Sequence, residues 1–361
     1  MHILNLIINI FWVFLFSFTF IFIARKIAKI FGLVDQPNYR KKHKGEIPLV
    51  GGISLFFSIS LAFTITNEYI PHKWLYLICA GILVFVGVLD DCFDISIKIR
   101  ATIQSIVTFV MIYFADLTLD NLGYVFGPWQ IKFGPLSYLM TLFSVWGVVN
   151  AFNMIDGIDG LLGGLSCVSF ATLGILLYQN GNIALTFWCF AIIAAILPYI
   201  FLNLGFLGNR YKVFMGDAGS TLIGFTIIWL LLMSTQGKHS FIKPVTSLWI
   251  IAIPLMDMIL IMYRRLRKGM SPFLADRQHI HHLIMRSGFT QNQAFILITL
   301  AAAILATIGL ISEHLSIVPE WIILILFLFI FAIYDYCIKH AWKAVRFLGR
   351  FKYWMQHITD K

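Results

Sequence analysis

The chain has 361 residues, of which 60% are hydrophobic and only 12% are charged, and its mean hydropathy is +0.86. A chain with so little polar surface cannot cover a water-soluble globule, so the composition excludes soluble enzymes and indicates an integral membrane protein. The net charge is +10, yet no segment resembles a nucleic-acid-binding module.

Apolar stretches of the chain are long enough to cross a bilayer as helices, which takes about 20 residues each. Eleven are predicted, at 4–24, 49–67, 74–90, 101–117, 137–153, 160–179, 184–205, 219–234, 245–263, 293–312 and 320–338. We therefore expect an all-α, polytopic membrane fold. No linker rich in Pro, Gly or Ser divides the chain, which predicts one transmembrane domain over 1–338 and a basic juxtamembrane tail over 339–361.

The Lys and Arg residues predict the orientation, because they accumulate in short cytoplasmic loops. With the amino terminus outside, the inside segments are 25–48, 90–100, 153–160, 206–218, 264–292 and 339–361, and they contain 23 of the 27 Lys and Arg residues. The first span lacks a preceding basic region and a small-residue cleavage site, so we expect a retained anchor. The chain is predicted N-out and C-in. The tail either lies on the anionic inner leaflet or only fixes topology.

Four polar islands interrupt the chain where predicted spans end. In chain order they are VLDDCFDI (88–95), NAFNMIDGIDGLLGG (150–164), VFMGDAGS (213–220) and ADRQHIHH (275–282). The predicted topology puts all four inside, with seven of the seventeen Asp and Glu residues among them. So many acids would repel one another unless a cation joined them. Oxygen ligands favour Mg²⁺, or Mn²⁺, over zinc.

Each island alone is a weak signal. DDxxD also occurs in soluble enzymes that bind isoprenoid pyrophosphates, and Gly-Asp-x-Gly is ordinary turn chemistry, although its glycines let backbone N–H groups approach a phosphate. The histidines of HIHH lack the usual spacing of zinc ligands. Arginines surround them, which favours donors to an anionic substrate; arginines that only fix topology are the alternative.

One acid lies apart from the islands. Asp257, in PLMDM, falls inside a predicted span, where an ionisable side chain is costly. A functional role is one interpretation, and a buried ion pair with Arg264 or Arg265, about two turns on, is the other.

Together the islands, with LVGGIS, KIRATIQ, RYKVFMGDAGSTLIGF and RRLRKGMSPF around them, resemble the polyprenyl-phosphate N-acetylhexosamine-1-phosphate transferase superfamily over nearly the whole chain. The HIHH form of the last island is most similar to the bacterial branch that uses undecaprenyl phosphate. The resemblance implies transfer of GlcNAc-1-phosphate from UDP-GlcNAc to undecaprenyl phosphate at the bacterial inner membrane, with release of UMP. It also implies a place at the first membrane step of a cell-surface polysaccharide of the O-antigen or enterobacterial-common-antigen type.

The resemblance further implies roles for individual residues. Catalysis is expected from Asp90 and Asp91, metal binding from Asp217 and Asn153, lipid-phosphate binding from Lys98 and Arg100, and nucleotide-sugar contacts from Asp156, Asp159, Phe214, Arg265, His279, His281 and His282. Direct attack of the lipid phosphate, with Asp91 as an orienting base, and a two-step path through a covalent phospho-enzyme are both open.

Other functions fit parts of the pattern. The same chemistry with another UDP-N-acetylhexosamine is one, although HIHH argues against the muramyl-pentapeptide branch. An ion-coupled transporter would carry its acids near the bilayer midplane, whereas nearly all of these lie at inner span ends. A structural scaffold has no need of such acids. Whether the chain forms a homodimer is open.

Overall fold

The computed structural model describes residues 2–37, 45–237, 240–271, 279–315 and 318–340, and these residues are mostly helical. The helices within these ranges are α1 (His2–Phe31), α2 (Gly51–Ile65), α3 (Lys73–Phe93), α4 (Ile97–Ala115), α5 (Ser137–Ile155), α6 (Leu161–Gln179), α7 (Ile183–Asn203), α8 (Gly216–Thr235), α9 (Pro244–Ile250), α10 (Ala252–Arg267), α11 (Ile280–Arg286), α12 (Gln291–His314) and α13 (Glu320–Lys339). Between α1 and α2, two short strands, β1 (Val34–Asp35) and β2 (Ile47–Pro48), pair antiparallel.

Nine of the described helices are long and apolar enough to cross a membrane, and the bent pair α9 and α10 would make a tenth. The prediction of an all-α, polytopic membrane protein is thereby confirmed. Each predicted stretch contains a helix, but α2 has only 15 residues and is shorter than a full span. Most of the predicted basic tail, from residue 341 on, lies outside the described residues.

The centre of the protein is built around α8, which packs against α2, α3 and α5. Of the most apolar stretch of α8, 89% is buried inside the protein, compared with 17% for α1 and α13. Aromatic rings from several helices fill this centre: Tyr76 packs edge-on against Trp188 and Trp229, and its hydroxyl lies 2.6 Å from that of Thr226. The outer helices therefore face lipid, while α8 faces mainly other helices.

The stretch predicted as a span over 245–263 is not one straight helix, because α9 and α10 meet at an angle of 84°. Pro254 lies in the first turn of α10 and has no N–H, so it cannot bond to the carbonyl of Ile250 four residues earlier. The buried hydroxyl of Ser169, on α6, donates to that carbonyl at 2.9 Å. A hydrogen bond from another helix thus stabilises the break in apolar surroundings.

Ser169→Ala should weaken this bend, because the carbonyl of Ile250 would lose its hydroxyl donor inside the protein. We expect the free energy of unfolding to fall by about 1 kcal/mol, measured by thermal unfolding in detergent. Ser166→Ala is the matched control, since the Ser166 hydroxyl bonds only within its own helix, to Leu162. Equal losses in both variants would contradict the role given to Ser169.

Candidate active site

A cleft of about 510 Å³ opens where several helices begin or end. Its walls come from the last turns of α3, α5 and α7, the first turn of α8, and the segments around residues 35, 49, 156–159 and 212–216. The volume suits a small-molecule site. Among the described residues that line it, the charged ones are Asp35, Asp91, Asp156, Asp159, Asp217 and Lys212. The cleft therefore carries a strong excess of negative charge.

The carboxylate of Asp91 holds the start of α8. It accepts hydrogen bonds from the backbone N–H of Asp217 at 2.9 Å and of Ala218 at 3.4 Å. The first N–H groups of a helix lack partners within the helix and favour a negative charge, so Asp91 stabilises this terminus. The preceding Gly216 has φ +74°, and a side chain there would overlap the Asp91 carboxylate. Glycine is thus required at this position for two reasons, the positive φ and the lack of space for a side chain.

Two further glycines bring backbones into direct contact at the same place. A Cβ at Gly52, on α2, would overlap the backbone of Gly219, and one at Gly87, on α3, would overlap the backbone of Ala218. Segment 48–52 also bonds to the strand-like segment before α8, with the N–H of Gly51 donating to the carbonyl of Phe214 at 3.0 Å. The start of α8 is therefore fixed against α2 and α3.

The two residues predicted to bind metal are in contact. The amide of Asn153, at the end of α5, donates to Asp217 Oδ1 at 2.5 Å and to the Ser220 hydroxyl at 2.9 Å. Within the described part of the chain no three Asp, Glu, His or Cys residues converge as a metal cage. Magnesium typically takes only one or two carboxylates and completes its shell with phosphate and water, so this arrangement suits it.

The predicted catalytic pair divides between two environments. Asp91 lines the cleft, whereas Asp90 is buried and pairs with Arg100 Nη1 at 2.5 Å. The same Arg100 nitrogen lies 3.8 Å from Asp217 Oδ2. Lys98, the other residue predicted to bind lipid phosphate, is exposed at the start of α4. Arg100 therefore joins the acids of α3 and α8 and is the cation nearest to the candidate metal ligands among the described ion pairs.

The loop after α5 forms a second wall of the cleft. Asp159 pairs with Lys212 Nζ at 2.5 Å, and the same ammonium lies 5.5 Å from the centre of the Phe214 ring. The side chain of Asn203 ties this loop to the Lys212 segment, because it accepts from the N–H of Gly160 at 2.5 Å and donates to the carbonyl of Val213 at 2.8 Å. A ring, a carboxylate and an ammonium thus lie side by side.

The other acid of this loop, Asp156, follows the last residue of α5. Burial in the surrounding protein, together with the charges of Asp217 and Asp159, raises the pKa of its carboxyl to about 7, although the side chain keeps access to the open cleft. Near neutral pH this carboxyl therefore exists in both protonation states.

The histidines lie behind this wall instead of inside the cleft. His281 is buried against Gly157, where an added Cβ would overlap its imidazole. Burial, together with the charges of His282 and His279, lowers the pKa of His281 to about 3, so this ring is neutral at pH 7. His279 and Arg265 are also buried, and His282 is half-buried. The HIHH segment therefore supports the loop that carries Asp156 and Asp159.

The structure brings six of the predicted site residues to the lining of the cleft, namely Asp91, Asn153, Asp156, Asp159, Phe214 and Asp217. Sequence reasoning missed Asp35, Asn203 and Lys212, which line it too. The available signals were the polar Asn203 at the inner end of a predicted span and the position of Lys212 just before the GDAGS motif. No comparable signal marked Asp35.

Comparisons with known proteins show what the whole chain is similar to. A family model described as glycosyl transferase family 4 matches residues 73–235. Among curated proteins, the undecaprenyl-phosphate α-N-acetylglucosaminyl 1-phosphate transferase of Yersinia pestis is 65% identical over 98% of this chain and 96% of the relative. The protein of that name from Escherichia coli K12 is 64% identical over the same shares. That from Haemophilus influenzae is 52% identical over 96% of this chain and 97% of the relative.

Gly87→Ala should destabilise the protein by roughly 1–3 kcal/mol, because the added methyl group meets the backbone of α8, which cannot yield as a side chain can. The measurement is the unfolding midpoint in detergent. Gly147→Ala, in the middle of α5, is the control: its Cβ would come no closer than 3.9 Å to Met258, so helix propensity alone should apply. A Gly87→Ala protein as stable as the Gly147→Ala protein would refute the close contact.

Proposed function

The chain belongs to the polyprenyl-phosphate N-acetylhexosamine-1-phosphate transferases, in the branch of the undecaprenyl-phosphate α-N-acetylglucosaminyl 1-phosphate transferases, and we propose that it transfers GlcNAc-1-phosphate from UDP-GlcNAc to undecaprenyl phosphate. The observation that carries this proposal is the acidic cleft at the ends of apolar helices, with Asp91 and Asp217 meeting at the start of α8. A site at a span end is where a water-soluble nucleotide and a membrane phosphate can meet.

We place this cleft on the cytoplasmic face of the bacterial inner membrane, with the amino terminus outside and the carboxyl terminus inside. The cleft collects the carboxyl ends of α3, α5 and α7 and the amino end of α8, as expected for antiparallel neighbours whose ends share one side. The basic residues of the chain concentrate in the segments on that same side. On this reading the enzyme acts early in making a cell-surface polysaccharide.

Magnesium fits the donors of this cleft. Asp217, the side-chain carbonyl of Asn153 and the Ser220 hydroxyl are hard oxygen ligands within one contact network, and the lining carries five carboxylates against Lys212. We propose that Asp217 and Asn153 hold the ion, with manganese as a substitute. When bound, it would neutralise pyrophosphate charge and draw charge from the leaving nucleotide.

The chain's own residues position both substrates. Lys212 and Arg100 supply cationic donors, the first beside Asp159 and Phe214 for the nucleotide half and the second beside Asp90 for the lipid phosphate. Phe214 offers its ring to the uracil. A lipid phosphate oxygen then bonds to the β-phosphorus, and the bond from that phosphorus to the bridging oxygen breaks, so that UMP leaves with the electron pair.

We favour direct attack over a covalent phospho-enzyme. Both oxygens of Asp91 accept hydrogen bonds from α8, and Asp90 is engaged by Arg100, so neither carboxylate is a free nucleophile. A lipid phosphate that is mostly ionised at neutral pH needs little deprotonation. Asp91 therefore acts by holding the start of α8 and orienting the reactants.

The function is tested by incubating purified protein with undecaprenyl phosphate, Mg²⁺ and UDP-GlcNAc labelled in both the sugar and the β-phosphate. We expect UMP release and both labels in the lipid. Release of UDP, with only the sugar in the lipid, would instead show a glycosyl transfer. Another UDP-N-acetylhexosamine outperforming UDP-GlcNAc would correct the donor while keeping the reaction.

Asp217→Asn should reduce turnover by at least about a thousandfold, because a charged ligand at the reacting phosphates is lost, while the fold persists. The measurement is UMP release over a Mg²⁺ titration, alongside an unfolding curve. Asp116→Asn is the control. Asp116 is an exposed acid at the far end of α4, and asparagine tolerates the left-handed backbone conformation found there. The activity of this variant should be unchanged. An active Asp217→Asn protein would remove this residue from the metal site.

A further inference from the structure

A buried carboxylate in α10 joins three separate parts of the protein. Asp257, on α10, is 2% exposed. Its Oδ2 lies 2.7 Å from His279 Nδ1, and its Oδ1 accepts from the N–H of Ile280 at 3.2 Å and from the Tyr334 hydroxyl at 2.7 Å. These donors come from the start of α11 and from α13, that is, from outside α10. Three strong donors make a buried carboxylate tolerable there.

The contacts continue from Asp257 to the cleft. The ring of His279 stacks on that of His281, with centroids 5.4 Å apart and planes within 11°. His281 in turn fills the space beside Gly157, where not even a Cβ would fit. Gly157 lies between Asp156 and Asp159 in the cleft wall, and α11 also contributes Met285 to that wall. The position of the wall therefore depends on where Asp257 holds His279.

We propose that Asp257 is a positioning residue, which sets the nucleotide-facing wall of the cleft by anchoring His279 and the start of α11. This inference rests on the proposed function for its assignment to the nucleotide half of the reaction. The carboxylate also fixes the tautomer of His279, since an Nδ1–H that donates to Asp257 leaves the other ring nitrogen as the acceptor when the ring is neutral. Asp257 itself does not line the cleft.

Asp257→Asn separates these roles. The asparagine oxygen can still accept from Ile280 and Tyr334, but its amide group would face His279 Nδ1 with a donor in place of an acceptor. That reversal repels the ring or forces the opposite tautomer. We expect kcat/KM for UDP-GlcNAc to fall by about 10- to 100-fold, mainly through KM, while KM for undecaprenyl phosphate stays unchanged.

Hydrogen-exchange mass spectrometry without substrate gives a readout independent of activity. In Asp257→Asn, exchange should rise by about tenfold in residues 156–160 and 279–286 and stay unchanged in α3 and α6. Tyr334→Phe keeps the contact with His279 and removes one donor, so it should give the same pattern to a smaller extent. It also serves as the measurable variant if Asp257→Asn does not fold.

Unchanged exchange at 156–160 in the folded variants would overturn the proposal, as would a general rise across all helices or an equal rise in KM for both substrates. These outcomes are distinct from failure of the proposed function. If the wild-type protein released no UMP from UDP-GlcNAc, the assigned reaction would fall, whereas the exchange pattern would still decide whether Asp257 positions the wall.

Discussion

The hydrogen bonds from the first N–H groups of α8 to Asp91 are the interaction on which the rest of the site depends. They fix where α8 begins, and the side chains of its first turn then meet Asn153 from α5 and approach Arg100 from α4. The contact is possible only because Gly52 and Gly87 let three backbones touch. A site made from the ends of several helices is thus held together at one helix terminus, where a carboxylate meets unpaired donors.

Hydropathy predicted the helices well because lipid imposes the same requirement, about 20 apolar residues, on every span. It could not predict the break at Ile251, since both halves of that stretch are apolar and the stabilising hydroxyl of Ser169 comes from a helix 81 residues earlier. A contact between distant segments, which composition does not record, therefore stabilises this break.

The site divides in the same way. Acids clustered at span ends were visible in the sequence, and Asp91, Asp156, Asp159 and Asp217 do line one cleft. The residues that contact these acids and their loop were not visible in the sequence, because a single lysine or asparagine at a span end, such as Lys212 or Asn203, is ordinary. For Asp257 the sequence offered only neighbours on its own helix, whereas the donors seen come from α11 and α13. Sequence thus located the charges, and tertiary packing decided which groups each one meets.

The burial of α8 has a consequence for how the protein is made. This helix is apolar enough to enter the bilayer as an independent segment, yet in the finished protein it is enclosed by α2, α3 and α5, which precede it in the chain. During synthesis those earlier helices enter the membrane before α8 is available to pack against them, since α8 is complete only when residue 235 has left the ribosome. Insertion and packing are then separate stages. A nascent chain halted before α8 would hold most of the acids but no assembled cleft.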